Sequence, residues 1–156
     1  MPDFNSVEEV LEELPSGSMV VLVDERGQDV DGTELVGEGE LVTLAETVTP
    51  QTINFMAQQA GEKSVKGYLY ARGSEDVWGN SLADLCEDAK YFEMLFDVLK
   101  SRAIFLDKYY ELTRYPDFLP GGIPSDAFDV LEAERAIELA EEVVQFVKER
   151  MQEIDG

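Results

Sequence analysis

The apolar positions of the chain follow two regimes. Up to about residue 48 they come in short clusters separated by turn residues. Ser6-Val-Glu-Glu9 has the form of a capping box, followed by Val7, Val10, Leu11 and Leu14 at helical spacing, and Pro15-Ser-Gly17 ends that helix. Met19 to Val23 is an uninterrupted, largely β-branched run that predicts a buried strand. Asp24 to Thr33 is polar, with reversals at Gly27 and Asp31-Gly32. Glu34 to Val36 and Glu40 to Ala45 predict two short strands around Gly37-Glu-Gly39.

From Thr49 the spacing turns helical over long stretches. Thr49 is a natural N-cap, with Pro50 at the first helical position. Ile53, Met56, Ala57, Ala60, Val65 and Leu69 share broadly one side, and Gly73 stops the helix. Trp78-Gly-Asn-Ser81 reads as a turn whose Asn80 or Ser81 caps a short helix through Leu85, with Trp78 as a packing plug between helices. Ala89, Phe92, Leu95, Phe96, Leu99, Ala103, Leu106 and Tyr110 then predict one long amphipathic helix. A proline- and glycine-rich connector follows through Pro124, and Asp129 with Glu132 forms a second capping box. The last helix carries the stripe Ala133, Ala136, Ile137, Ala140, Val143, Val144, Val147 and Met151, beneath an acidic outer face with Glu138, Glu141 and Glu142. The expected fold is mainly α: an antiparallel bundle of three or four helices over residues 51–153, with a small α/β element over residues 1–50.

Composition narrows the chemistry. Among 156 residues there are 12 basic and 34 acidic side chains, a formal net charge of −22. Such a field repels phosphate backbones, because nucleic-acid affinity comes largely from Lys and Arg displacing counterions. It fits a solvated acidic surface or a face for a basic protein partner. The chain holds no histidine, which removes histidine acid–base catalysis, Ser-His and Cys-His nucleophiles and histidine-ligated metals. Cys86 is the only cysteine, so neither an internal disulfide nor a cysteine-rich zinc site can form, and it reads as a small buried apolar residue. The longest apolar run is far too short to span a bilayer, and the chain reads as cytoplasmic.

One constellation has the makings of a binding site. Arg114, with Lys108, Tyr109, Tyr110, Tyr115 and Asp117 around it, combines a guanidinium fork with aromatic faces, as a nucleotide or partner site would. The alternative is that Arg114 pairs with Asp117 or another carboxylate while the tyrosines close the core. Neither a catalytic set, a metal site nor a cofactor is expected; Asp24, Glu25, Glu38 and Glu40 could at most offer oxygen atoms to magnesium.

Two resemblances lie side by side. Met19-Val-Val-Leu-Val-Asp24, Gly39-Glu-Leu-Val42 and Val48-Thr-Pro-Gln-Thr-Ile-Asn-Phe-Met56, over residues 6–57, resemble the start of 3,4-dihydroxy-2-butanone 4-phosphate synthase. That family's acidic loop is rewritten here, and its metal-binding histidine and phosphate motifs have no counterpart. Ala57-Gln-Gln-Ala-Gly-Glu-Lys63, Val77-Trp-Gly-Asn-Ser-Leu82, Leu106-Asp-Lys-Tyr-Tyr110, Thr113-Arg-Tyr-Pro-Asp117, Pro120-Gly-Gly-Ile-Pro124 and Ala136-Ile-Glu-Leu-Ala-Glu-Glu142 resemble the HEPN domain, over residues 53–152. The resemblance implies a helical bundle, often dimeric and often paired with a nucleotidyltransferase in toxin–antitoxin modules. Active members are metal-independent ribonucleases with an arginine followed shortly by a histidine. Here Asn80 stands where the Trp-Gly turn usually carries histidine, the arginine-to-histidine motif is absent, and the family's first helix is replaced by the synthase-like part. The likenesses meet around Asn54 to Ala60, inside one expected helix, as in a recombined or engineered chain.

The functional expectation is a non-catalytic interaction protein with an HEPN-like bundle. It would serve as an antitoxin or accessory component of a prokaryotic toxin–antitoxin or defence module, binding a basic toxin or a nucleotidyltransferase and forming a homodimer through its helices. The alternatives are a nucleotide-binding or ribonuclease HEPN enzyme centred on Arg114, and a remnant of the synthase.

Overall fold

Local capping decides where the chain becomes helical. In a computed structural model describing residues 5–23, 39–113 and 128–155, the first helix α1 (Val7–Glu13) begins at a reciprocal box. Ser6 Oγ accepts from Glu9 N–H at 3.2 Å, and the Glu9 carboxylate accepts from Ser6 N–H at 2.7 Å. A 3₁₀ turn (Leu14–Ser16) follows and Gly17 ends it with φ +90°, a value for which a side chain would be strained. Strands β1 (Val20–Val23) and β2 (Gly39–Val42) pair antiparallel, Val20 opposite Val42 and Val23 opposite Gly39.

The chain divides into two compact units, Met1–Val48 and Thr49–Gly156. In the first unit the expected strand is present but not buried. It starts at Val20 rather than Met19, and Val21 and Leu22 remain 59% and 51% exposed. An apolar run dictates extended backbone, but burial needs another layer, and among the described residues the sheet has two strands. The predicted strand at 34–36 and the reversals at 24–33 lie outside the described residues.

The second unit is a helical bundle of α2 (Pro50–Ala71), α3 (Leu82–Ala89), α4 (Phe96–Leu112) and α5 (Val130–Asp155). Helix α2 starts at the expected cap, Thr49 Oγ1 accepting from Thr52 N–H at 3.2 Å with Pro50 behind it. It closes in a Schellman motif: Gly73, at φ +90°, donates to Tyr70 O, and Ser74 donates to Leu69 O. Helix α4 packs against each of the other three helices of the bundle. It runs antiparallel to α2, with Gln51 near Thr113 and Tyr68 against Phe96 (ring centroids 4.6 Å apart). It also runs antiparallel to α5, with Lys108 on Glu132 and Phe96 edge-on to Phe146 at 5.1 Å. Gly61 lets α2 approach closely: a Cβ there would meet Leu82 Cδ1 at 3.2 Å and Leu106 Cδ1 at 3.3 Å.

The single long helix expected from Ala89 to Tyr110 is two helices. Residues 90–95 turn a corner in which Phe92 and Leu95 are exposed, while Ala89 and Phe96 on either side are fully buried. Side-chain pairing across the corner accompanies the break. Glu93 Oε1 accepts from Leu95 N–H at 3.0 Å, and Lys90 Nζ reaches Asp97 at 2.8 Å across the corner. Glu87 accepts from both Lys90 (3.2 Å) and Lys100 (2.9 Å), so α3 and α4 close as a hairpin. The α4 stripe also ends on buried Tyr109, with Tyr110 only half-buried. In α5, Leu139 joins the buried alanines and valines, while Ile137 and Val144 lie at the exposed edge of the stripe.

Candidate functional site

The buried face of α2 includes Ala57, Val65 and Leu69 of the predicted stripe, but it is widened by polar side chains. Asn54, Gln58 and Glu62, one helical turn apart, are buried, whereas Ile53 and Met56 are half-buried and Ala60 is exposed. Buried polar side chains need partners, and two of the three have them. Gln58 Nε2 donates to Glu62 Oε2 (3.0 Å) and to the Asn80 carbonyl (3.2 Å), and Gln58 Oε1 accepts from Gln59 (2.7 Å). Glu62 also accepts from Gln59 (3.0 Å) and from Lys66 Nζ (2.8 Å).

Asn80 completes the carboxylate's shell. The amide orientation that satisfies both of its ends has Oδ1 accepting from the Tyr110 hydroxyl (2.6 Å) and Nδ2 donating to Glu62 Oε1 (3.1 Å). Glu62 therefore holds four donors and joins α2, the 79–81 turn and, through Asn80, α4. Gly79 makes the turn possible with φ +91°.

Next to it, Asp107 of α4 caps α3. Oδ1 accepts from Leu82 N–H (2.6 Å), and Oδ2 accepts from Ala83 N–H and from the Ser81 hydroxyl (3.0 Å each). Ser81 Oγ in turn accepts from Asp84 N–H at 3.2 Å, which settles Ser81 rather than Asn80 as the side-chain cap. Trp78 is not a plug: it is 82% exposed, while its neighbour Val77 packs on the core.

The residues singled out from sequence separate into two places. Lys108 and Tyr109 converge on Glu132: the ammonium lies 2.6 Å from Oε1, the Tyr109 hydroxyl donates to the same oxygen at 3.3 Å, and Lys108 sits 4.5 Å from the Tyr109 ring centre. Tyr109 is 1% exposed and packs against Phe128. Tyr110 faces the other way, to Asn80. Arg114, Tyr115 and Asp117 lie outside the described residues. Asp129 caps α5 through Glu132 N–H at 2.7 Å, as its capping-box pattern implies, while the Glu132 carboxylate serves Lys108 and Tyr109.

Titration follows from these contacts. Burial alone would lower the Lys108 ammonium, but Glu132 and Tyr109 outweigh it and hold its pKa above the ordinary range. Burial raises the Tyr109 phenol despite Lys108 beside it. Burial, with the Asp107 charge, pushes the Cys86 thiol up to about 12, leaving it an inert core residue. Among the described residues no three acidic or cysteine side chains converge as metal ligands. Asp24, Glu25 and Glu38 are outside them, as is the side chain of Glu40.

Sequence reasoning missed Gln58, Glu62 and Asp107. The signal available was polar residues recurring every four positions on a face otherwise occupied by small and apolar ones. Asp107 gave no comparable signal, because its partners are 25 positions away.

The profile of the HEPN domain matches residues 44–150, well over half of the chain. The chain belongs to the HEPN domain family. Two solved structures are similar to this chain. TT1696 from Thermus thermophilus is 41% identical with a TM-score of 0.59, covering 64% of this chain and 77% of that one. ST0689, an archaeal HEPN homologue, is 29% identical with a TM-score of 0.53, covering 65% of this chain and 78% of that one. The profile of 3,4-dihydroxy-2-butanone 4-phosphate synthase matches residues 8–66. The riboflavin biosynthesis protein RibBA of Aquifex aeolicus is 46% identical over 55 residues, 35% of this chain but 12% of that protein. That of Bacillus velezensis is 34% identical over 76 residues, 49% of this chain and 16% of the relative. The HEPN and synthase matches overlap over residues 44–66, so the first turns of α2 fit both families. The Glu62–Asn80–Tyr110 cluster lies within the HEPN match. Among the described residues no helix is long and apolar enough to cross a membrane.

Proposed function

We propose that this HEPN protein acts by binding rather than by catalysis, as the antitoxin or accessory member of a prokaryotic toxin–antitoxin or defence module in the cytoplasm. The observation that carries the reading is the commitment of the polar cluster: Glu62 and Asp107 spend their carboxylate oxygens on internal donors that tie α2, α3 and α4 together. In a chain without histidine, that leaves no built acid–base pair there. The surface offers binding chemistry in its place. Met94, Val98, Ile104 and Phe105 expose an apolar band along α4 and the corner before it, fit for a second copy of the chain. Acidic side chains elsewhere suit a basic protein partner. Lys108, Tyr110, Arg114, Tyr115 and Asp117 belong to this proposal as partner-contacting residues, with buried Tyr109 supporting Lys108 from within. The division into residues 1–50 and 51–153 belongs to it as a small α/β element and an HEPN-like bundle.

Co-expression with a basic toxin or a nucleotidyltransferase encoded beside it should rescue growth and recover a stable complex. Absence of both rescue and complex with each neighbouring candidate would sink the proposal. So would RNA cleavage by the pure protein that disappears in Arg114→Ala.

A further inference from the structure

Between the end of α2, the 74–77 segment and the α3–α4 corner lies a cavity of about 370 Å³, at the lower end of the small-ligand range. Leu69, 2% exposed, and half-buried Val77 give it an apolar base. Asp76 and Asp88 bring two carboxylates to it, and Tyr91 and Phe92 bring two aromatic rings. None of its lining residues is basic.

The carboxylates of this cavity differ from those of Glu87 and Asp97 at the adjoining α3–α4 corner. Glu87 and Asp97 nearby are both paired, with Lys90 and Lys100. Among the described residues, the side chains of Asp76 and Asp88 have neither a hydrogen-bond partner nor an ion pair. The Phe92 ring already carries one guanidinium, that of Arg72, 5.4 Å from its centre. Tyr91 stands 90% exposed, its ring uncovered. Counting Arg72, the locality still has excess negative charge, so an anion is repelled. A neutral occupant would strip water from two carboxylates without replacing it. A guanidinium meets both demands: its flat faces stack on aromatic rings while its edge N–H groups donate to carboxylates, and it sheds water more readily than an ammonium.

We propose that this cavity receives an arginine side chain of a protein partner, Asp76 and Asp88 accepting its N–H groups and Tyr91 covering its face. The proposal rests on the interaction reading above for where the arginine comes from, and it names the chemistry by which the partner is held.

The test uses the full chain with a tetraarginine peptide as probe and its tetracitrulline counterpart as the neutral control, followed by amide chemical shifts. The arginine peptide should shift the amides of Leu69, Val77, Asp88, Tyr91 and Phe92, and the citrulline peptide should not. D88N/Y91A should weaken arginine-peptide binding by about tenfold, whereas E138Q/E141Q on the exposed face of α5 should change it by less than about twofold. Both altered pairs are solvent-exposed, so the fold is retained; Asp88 near the end of α3 also faces the negative end of the helix dipole, which Asn relieves. Equal weakening by the two double variants, or shifts spread over α5, would reduce the effect to diffuse attraction by the acidic surface and overturn the proposal. Recovery of a basic partner at undiminished affinity by D88N/Y91A would also overturn it, while leaving the interaction reading in place.

Discussion

Asn54 is the residue whose position is hardest to reconcile with stability. It is fully buried on α2, and neither its Oδ1 nor its Nδ2 finds a hydrogen-bond partner. A buried amide without partners forfeits its hydration at a cost of about 1–3 kcal/mol. Asn54→Val, an apolar change of modest volume and similar helix propensity, should therefore raise stability by about 1 kcal/mol in urea unfolding. A loss of stability would mean that the amide has a partner in solution. Glu62, two turns further on, is the counter-case of the same chemistry: a buried carboxylate with four donors, legible as a core residue only once Asn80 has been brought to it. At this scale the sequence betrayed which residues are polar within the stripe, but not which of them are satisfied.

Among the elements, α3 depends most on its neighbours. It is eight residues long, shorter than helices that persist alone, and its first amides are held by a carboxylate from α4. Asp107→Ala should cost about 2 kcal/mol by removing three charge-assisted hydrogen bonds at once. Hydrogen exchange at Leu82 and Ala83 should accelerate beyond the global effect, whereas uniform acceleration would deny the capping role. The hairpin between α3 and α4 also carries a pH signature. Hydrogen bonds from Lys100 first and Lys90 second hold the Glu87 carboxyl below its ordinary 4.5. Its unfolded form thus takes up a proton at higher pH than the folded form, so its contribution is present above about pH 4.5 and fades as pH falls through the depressed value. Lys90, raised chiefly by Asp97, and Lys100, raised by Glu87, lose theirs only as pH climbs above 10.5. The stability gap between wild type and Glu87→Gln should then be present at neutral pH, small because the groups are exposed, and closed in acid. A gap independent of pH would exclude the ion pairs as its source.

For the whole molecule, charge is the dominant fact. With a net charge of −22, the folded chain repels itself, and salt should stabilise it. Raising salt from about 0.1 M to about 1 M shortens the screening length from about 10 to about 3 Å, and the thermal midpoint should rise over that range. A falling midpoint would show that the surface ion pairs at Glu87 and Glu132 outweigh the repulsion. The same charge makes the uncharged band along α4 a place where another acidic surface can approach with the least like-charge penalty.

The sequence by itself determined what depends on neighbours a few positions away. The caps at Ser6, Thr49 and Asp129, the narrowing of the α3 cap to Asn80 or Ser81, the stop at Gly73, the helical character of α2 and α5, and the HEPN resemblance were all legible, because a side chain bonding its own helix end leaves its mark within three or four residues. What the tertiary structure alone decided depends on neighbours beyond one helical turn: the corner at residues 90–95, the polar side chains that join the buried face of α2, Asp107 as the cap of α3, and the outward turn of Trp78. Periodicity reports which positions share a face. Whether that face meets another helix, a loop carbonyl or water is set by packing, and packing joins residues whose separation in sequence carries no local trace.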